Sequence, residues 1–194
     1  MPTWRAFLRD ASHEDFLASE YFAEWNNLLK SEELAKLLET NDLSLVFYLH
    51  YSLQKFSDCF TSHNPRIIIA SFDKDDVQAL LKESKLLITD YSSIFFDFAY
   101  MRKPLIYFQF DHDRFYSDHY QHGYFNHRAN GFGPCAVDSK EVVQEVQRMV
   151  SLDFHLEEKY IKRLEEFFPL FDTHNCERIY KAIIEKQDER KRRH

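Results

Sequence analysis

The residues best suited to chemistry form one run, Thr89-Asp90-Tyr91-Ser92-Ser93. Hydroxyl side chains and the free backbone N–H groups of an expected helix start converge there. Such a point favours anions, because helix-start amides lack partners and carry partial positive charge. The chemistry would be phosphate binding by hydroxyls and amides rather than by glycines, of which the chain has only 3. The competing reading is that Ser92 or Ser93 merely caps the helix, and the spacing leaves both open. A second stretch, Asp111-His112-Asp113 followed by His119, His122 and His127, offers zinc-type ligands. Its spacing matches no regular site and aromatics interrupt it, so no metal is expected.

The elements around these residues alternate. Residues 14–39 read as one helix, with Phe16, Leu17, Tyr21, Trp25, Leu28, Leu29, Leu34, Leu37 and Leu38 recurring mostly at intervals of three and four. Leu43–Leu49 is a short, nearly uninterrupted apolar run, which fits a strand buried on both faces. Arg66–Ala70 is a strand, and Asp75–Ser84 a helix that turns Val77, Leu80 and Leu81 inward. Leu86–Thr89 is a strand, Ser93–Arg102 a helix, and Leu105–Phe110 a strand opened by Pro104. Strands alternating with helices of about ten residues predict βαβ units and a doubly wound, mostly parallel α/β sheet. Residues 111–134 lose this pattern, and a possible strand at Cys135–Val137 precedes three amphipathic helices at 138–150, 154–168 and 174–188. One domain over 1–194 is expected. Met1–Arg5 reads as the end of a strand and its following loop, which suggests a fragment of a longer chain.

In an open α/β sheet, ligands bind outside the carboxyl ends of the strands. His50, Ser71-Phe72-Asp73 and the Thr89–Ser93 run all fall at that edge. Composition narrows the rest. A net charge of −7 disfavours a nucleic-acid partner, since phosphate neutralisation needs clustered Lys and Arg. The one basic cluster, Arg190, Lys191, Arg192 and Arg193, is a solvated helix end or a foothold on anionic lipid. Three scattered cysteines, Cys59, Cys135 and Cys176, argue against a disulfide framework and fit a reducing compartment. No secretion signal or membrane-spanning run is visible, so a cytoplasmic protein is expected, with peripheral membrane contact allowed by the basic end.

Leu86–Phe98, with Thr89-Asp90-Tyr91-Ser92-Ser93 followed by Phe96-Asp97, closely resembles the signature of the CDP-glycerol glycerophosphotransferases. The resemblance extends to Pro2-Thr3-Trp4-Arg5, Arg102-Lys103-Pro104, Asp111, Tyr116, Gly123-Tyr124, Gly133-Pro134 and the closing Asn175–Ile179. It implies a GT-B architecture of two Rossmann-like halves, of which this chain would be the C-terminal half, the one that binds donor. Thr89, Ser92 and Ser93 would hold the donor pyrophosphate. Arg5 would reach the same edge to meet developing phosphate charge, unless it forms a surface ion pair instead. Asp97 would bind substrate or only serve the helix dipole. His50 would be the acid/base, or a ligand of the leaving CMP or pyrophosphate; Tyr51 follows it where the family usually has Pro. His122 stands where the family commonly has Arg.

The implied partners are CDP-glycerol or a related CDP-alditol, and a polyol-phosphate or lipid-linked acceptor, in the synthesis of teichoic-acid-like polymers. No cofactor is implied. Catalysis by residues 1–194 alone is not expected. The rival readings are a non-catalytic nucleotide-binding module and a GT-B glycosyltransferase that uses a nucleotide sugar.

Overall fold

The structure, a computed structural model, describes residues 1–118 and 123–192. His119 and His122 of the metal reading, and Arg193 of the basic end, lie outside the described residues.

The amino-terminal segment is three helices, not the single helix its periodicity predicts: α1 (His13–Leu17), α2 (Glu20–Leu29) and α3 (Glu32–Thr40). Serine makes the breaks. Ser19 accepts a hydrogen bond from the Phe22 amide at 3.1 Å and Ser31 from the Leu34 amide at 3.2 Å, so each caps a new helix. The apolar stripe survives both breaks, and Phe16, Tyr21, Trp25, Leu28, Leu29, Leu34 and Leu38 are all buried.

The strands are β1 (Leu45–Tyr48), β2 (Ile67–Ala70), β3 (Leu87–Thr89), β4 (Leu105–Phe108) and β5 (Cys135–Ala136). Every pairing among them is parallel, in the registers Leu45↔Ile67, Leu87↔Leu105 and Tyr107↔Cys135. β4 shows why this is a doubly wound layer. Ile106 and Phe108 join the core beneath α2 and the later helix Ser139–Ser151, whereas Leu105 and Tyr107 join a second core with Phe95, Phe98, Phe132 and Leu164. Successive side chains point to opposite faces, so a strand buried on both faces needs an unbroken apolar run.

A continuous sheet was the expectation, and here the structure differs. Among the described residues β1 pairs with β2 in one sheet and β3-β4-β5 form another. A groove of about 390 Å³, lined by side chains of both β1 and β3, separates the facing edges. α4 (Val77–Glu83) flanks that groove and turns Val77, Leu80 and Leu81 inward as read, with Leu81 packed on the second core, although none of the three is fully buried.

Between β1 and β2 lies a 3-10 helix, Tyr51–Cys59, where the sequence reading assigns no element; buried Leu53 and Phe56, three residues apart, fasten it. α5 (Ile94–Tyr100) follows β3. The stretch read as irregular contains α6 (His112–Asp118) and α7 (His127–Asn130). Gly133 comes so close to β4 that an added Cβ would stand 1.9 Å from the Leu105 carbonyl oxygen. The three terminal helices are α8 (Ser139–Ser151), α9 (Glu158–Phe167) and α10 (Asn175–Arg192).

Candidate functional site

The carboxyl ends of β1, β3 and β4 deliver His50, Thr89–Ser93 and Gln109–Asp111 to one edge. Asp90 ties that edge to the amino-terminal loop. Its Oδ1 accepts from the Thr3 amide at 2.7 Å, the Thr3 hydroxyl at 2.5 Å and the Tyr91 amide at 2.7 Å. Arg5 adds a second layer. Its Nε and Nη2 donate to the two oxygens of Asp111 at 2.7 and 3.1 Å, and Nη1 donates to the Thr3 carbonyl at 2.9 Å. Arg5 Nη2 also lies 3.0 Å from Asp90 Oδ2. That oxygen has no aligned hydrogen-bond donor, so the contact is an ion pair held by charge alone.

Arg5 is 1% exposed and Asp90 fully buried. The rings of Tyr21, Tyr91, Phe110 and Phe115 surround the guanidinium at 4.9–5.9 Å. Burial works against the Arg5 charge, but Asp90 and Asp111 overcome it and push its pKa above the usual arginine value. The guanidinium expected to reach a ligand is therefore committed inside the protein. A charge in low dielectric needs counter-charge at hydrogen-bond distance, and these carboxylates supply it. Thr89 is diverted in a similar way: its buried hydroxyl donates to the Met1 carbonyl at 2.6 Å.

Ser92 and Ser93 differ from both. Their carbonyls start α5, accepting from Phe95 and Phe96 amides at 3.2 and 3.0 Å. Ser93 occupies the N-cap position without a side-chain capping bond. Neither hydroxyl has a hydrogen-bond partner among the described residues. Ser93 is exposed and Ser92 half-buried, so the capping reading fails for both side chains. Asp97 lies in the first turn of α5, exposed to solvent.

His50 sits half-buried at the end of β1, stacked near Trp4 with ring centroids 6.4 Å apart. Its Nδ1 accepts from the Ser52 amide at 3.2 Å. A backbone amide can only donate, so Nδ1 is unprotonated and the neutral ring carries its proton on Nε2. Desolvation lowers the His50 pKa below the ordinary value, and Asp90 partly offsets it.

Of two further polar residues at this edge, Gln109 escaped the sequence reading and His127 entered it only as a metal-type ligand. Gln109 is 1% exposed, and neither atom of its side-chain amide has a partner among the described residues. The signal was a glutamine inside the apolar run Leu105–Phe110. His127 is buried among Tyr91, Phe95, Tyr107 and Phe125, with Nε2 unpartnered, and burial lowers its pKa to about 4. Among the described residues, His112 and His127 of the metal stretch belong to no group of three metal-type ligands. Among the described residues that arrangement falls elsewhere, to exposed His13 and Asp58 with Cys59. The groove between β1 and β3 has a mostly aliphatic lining and brings no phosphate-binding chemistry.

The profile of the CDP-Glycerol:Poly(glycerophosphate) glycerophosphotransferase family matches residues 1–185. The minor teichoic acid biosynthesis protein GgaB of Bacillus subtilis is 32% identical over 95% of this chain and 21% of its own length. The teichoic acid poly(glycerol phosphate) polymerase of the same organism is 24% identical over 76% of this chain and 19% of its own. The chain spans 17–43% of the length of the curated relatives it matches. A histidine-to-asparagine variant of the wall teichoic acid polymerase TagF superposes with a TM-score of 0.65 at 25% identity, over 100% of this chain and 44% of that one. The same kind of variant soaked with CDPG superposes at 0.63 with 22% identity, over 100% and 42%, and shares the fold. With nearly the whole sequence matched and the parallel α/β architecture in common, the chain belongs to the CDP-glycerol:poly(glycerophosphate) glycerophosphotransferase family.

Proposed function

We propose that this chain binds the donor of a glycerophosphotransferase, CDP-glycerol or a related CDP-alditol, at the carboxyl edge of β1 and β3. The observation that carries the reading is the pair of uncommitted hydroxyls, Ser92 and Ser93, on a loop otherwise clamped by Asp90 and Arg5. TagF was soaked with CDPG, and it shares this fold. In the reaction, an acceptor hydroxyl oxygen attacks the β-phosphorus of the donor. A new P–O bond forms, the P–O bond to CMP breaks, CMP leaves with the electron pair, and the hydroxyl proton passes to a base. Phosphoryl transfer depends on positioning and charge stabilisation, and the two serines would supply hydrogen bonds to the pyrophosphate.

His50 would be a hydrogen-bond donor to that pyrophosphate through Nε2–H. The Ser52 amide supports this over a base role, because a base would need its free lone pair on Nε2 and its proton on Nδ1, against another N–H. Arg5, Thr89 and Asp97 would contribute indirectly, Arg5 and Thr89 by fixing the loop and Asp97 by favouring the α5 dipole.

The acceptor would be a polyol-phosphate chain or its lipid-linked primer, in teichoic-acid-like polymer synthesis at the cytoplasmic face of the membrane. Among the described residues no helix is long and apolar enough to cross a membrane. Exposed Ile179, Tyr180 and Ile183 on α10, together with the basic residues that end the sequence, favour peripheral contact.

Calorimetric titration with CDP-glycerol, UDP-glucose and GDP-mannose tests the donor. CDP-glycerol is expected to bind at least about tenfold more tightly than either, a difference of roughly 1.4 kcal/mol. Equal affinities would overturn the assignment. For His50, His50→Gln keeps an N–H near the Nε2 position and is expected to hold affinity within about threefold, whereas His50→Asn loses more. The reverse order would point to Nδ1 as the working atom.

A further inference from the structure

Strand β5 borders a recess lined only by cations and neutral groups. It ends the order β3-β4-β5, so one of its sides carries no strand among the described residues. The Tyr107 amide donates to the Pro134 carbonyl and the Gln109 amide to the Ala136 carbonyl, both at 2.8 Å. Backbone groups of successive strand residues face opposite sides, so Cys135 turns its own amide N–H to the open edge. Arg128 of α7, and Lys159, Tyr160 and Arg163 of α9, enclose a cavity of about 260 Å³ there.

Three positive side chains therefore converge where no carboxylate lines the wall. Lys159 and Arg163 are four residues apart on α9, and both sit against the Tyr160 ring, 4.7 and 5.7 Å from its centroid. Like charges at that spacing work against a helix, so helix stability does not account for the pair. Glu157 lies 3.4 Å from Lys159, but its other oxygen is taken by Arg148. Arg163 Nη1 donates to the Gly131 carbonyl at 2.8 Å, which orients the guanidinium and leaves its other N–H groups open. Arg128 has no hydrogen-bond or ion-pair partner among the described residues. Burial pushes the Cys135 thiol up to about 11, with Arg128 and Arg163 pulling it back. The thiol is thus uncharged at neutral pH, and both guanidiniums act on that one sulfur.

We propose that this recess is a phosphate site, sharing no residue with the Thr89–Ser93 loop. Two guanidiniums, an ammonium and an outward amide suit the several acceptor oxygens of a phosphate group. Arg128 and Arg163 grip it from facing walls, and Lys159 adds a point charge. The phosphate is either a phosphodiester of a polyol-phosphate chain or the free ion, since the same groups recognise both. The site does not depend on the donor assignment.

The test follows amide chemical shifts of the 194-residue chain while inorganic phosphate, or a trimer of glycerol phosphate, is added at constant ionic strength. Saturable shifts of the Gly133, Cys135 and Lys159 amides are expected. Arg128→Gln with Lys159→Gln removes two exposed cations and leaves Arg163 on Gly131; affinity should fall at least about tenfold at unchanged Tm. Lys140→Gln with Lys162→Gln removes as much charge from exposed positions outside the recess, and should change affinity by less than about twofold. A trimer that binds at least about threefold more tightly than inorganic phosphate identifies the chain as the source, and equal affinity identifies the free ion. No saturable shift with either ligand, or equal losses in the two double variants, overturns the proposal. CDP-glycerol affinity should stay within about twofold in the recess variant; a parallel fall would merge the recess with the donor site and overturn it as a separate one. Failure of the donor assignment shows differently, as no CDP-glycerol binding with the phosphate titration intact.

Discussion

Replacing Arg5 separates a ligand-binding arginine from an architectural one. Arg5→Gln removes the cation but leaves Asp90 and Asp111 buried, with the ring cage of Tyr91 and Phe115 around them. Removing one partner of a buried pair costs about 3–5 kcal/mol, because the charge left behind has no compensation. At about 2–4 °C per kcal/mol for a chain of this size, Tm should fall by about 6–20 °C. Arg5→Lys keeps the charge but cannot span both oxygens of Asp111, so an intermediate loss is expected. Thermal melts, with calorimetric donor titration at a temperature where the variant is folded, measure stability and binding separately. An unchanged Tm with donor affinity reduced tenfold or more would refute the reasoning, since it would put the guanidinium on the ligand.

The double change Ser92→Ala and Ser93→Ala should leave the ligand-free melt nearly unchanged, within about 0.5 kcal/mol, because neither hydroxyl caps α5. CDP-glycerol affinity should fall at least about tenfold, each lost charge-assisted bond being worth roughly 1.5–3 kcal/mol; an intact ligand-induced Tm shift would remove both serines from the site. His127 has its folded pKa lowered from 6.5 to about 4 by burial, so its contribution is full above pH 6.5 and is lost as pH falls towards 4. That amounts to about 3 kcal/mol, and His127→Phe should flatten the acid limb of a Tm-against-pH curve by a comparable amount; an unaltered limb would contradict it. Gly133→Ala places a Cβ against the Leu105 carbonyl of β4, and urea denaturation should show a loss of about 1–3 kcal/mol; a neutral result would mean that β4 can shift.

The α/β grammar was legible because it is local. Apolar runs such as Leu105–Phe110 and Ile67–Ile69 read as strands separated by helix-length segments; β4 is buried on both faces, whereas β2 leaves Ile68 exposed. The breaks at Ser19 and Ser31 were not, since a serine fits the polar phase of a helix as well as it caps the next one. The Ser92-Ser93 pair was readable as two possibilities, and only the side-chain geometry distinguishes cap from open hydroxyl. An ion pair was open for Arg5, but its burial, its partners and the fate of Thr89 could not be read. Arg5 meets Asp111 across 106 residues and Thr89 meets Met1 across 88, and no periodicity carries information over such distances.

Those long-range contacts stiffen the proposed phosphate loop without glycine. Glycine-rich loops admit phosphate by letting the backbone come close, and they lose the most entropy when fixed. Between Thr89 and Ser93 every residue carries a side chain, and several of these side chains fix the loop. Asp90 accepts from the Thr3 and Tyr91 amides, and Tyr91 stacks on Phe115 at 3.6 Å and donates to Asp111 at 3.2 Å. Two hydroxyls at the end of so constrained a segment have little freedom left to lose when an anion binds. Preorganisation of this kind favours binding and charge stabilisation together. It also makes Asp90 a point of vulnerability: Asp90→Asn would weaken the clamp on Arg5 and the loop at once, so stability and donor affinity should fall together. A clean separation of the two in that variant would mean the loop holds its shape without the clamp.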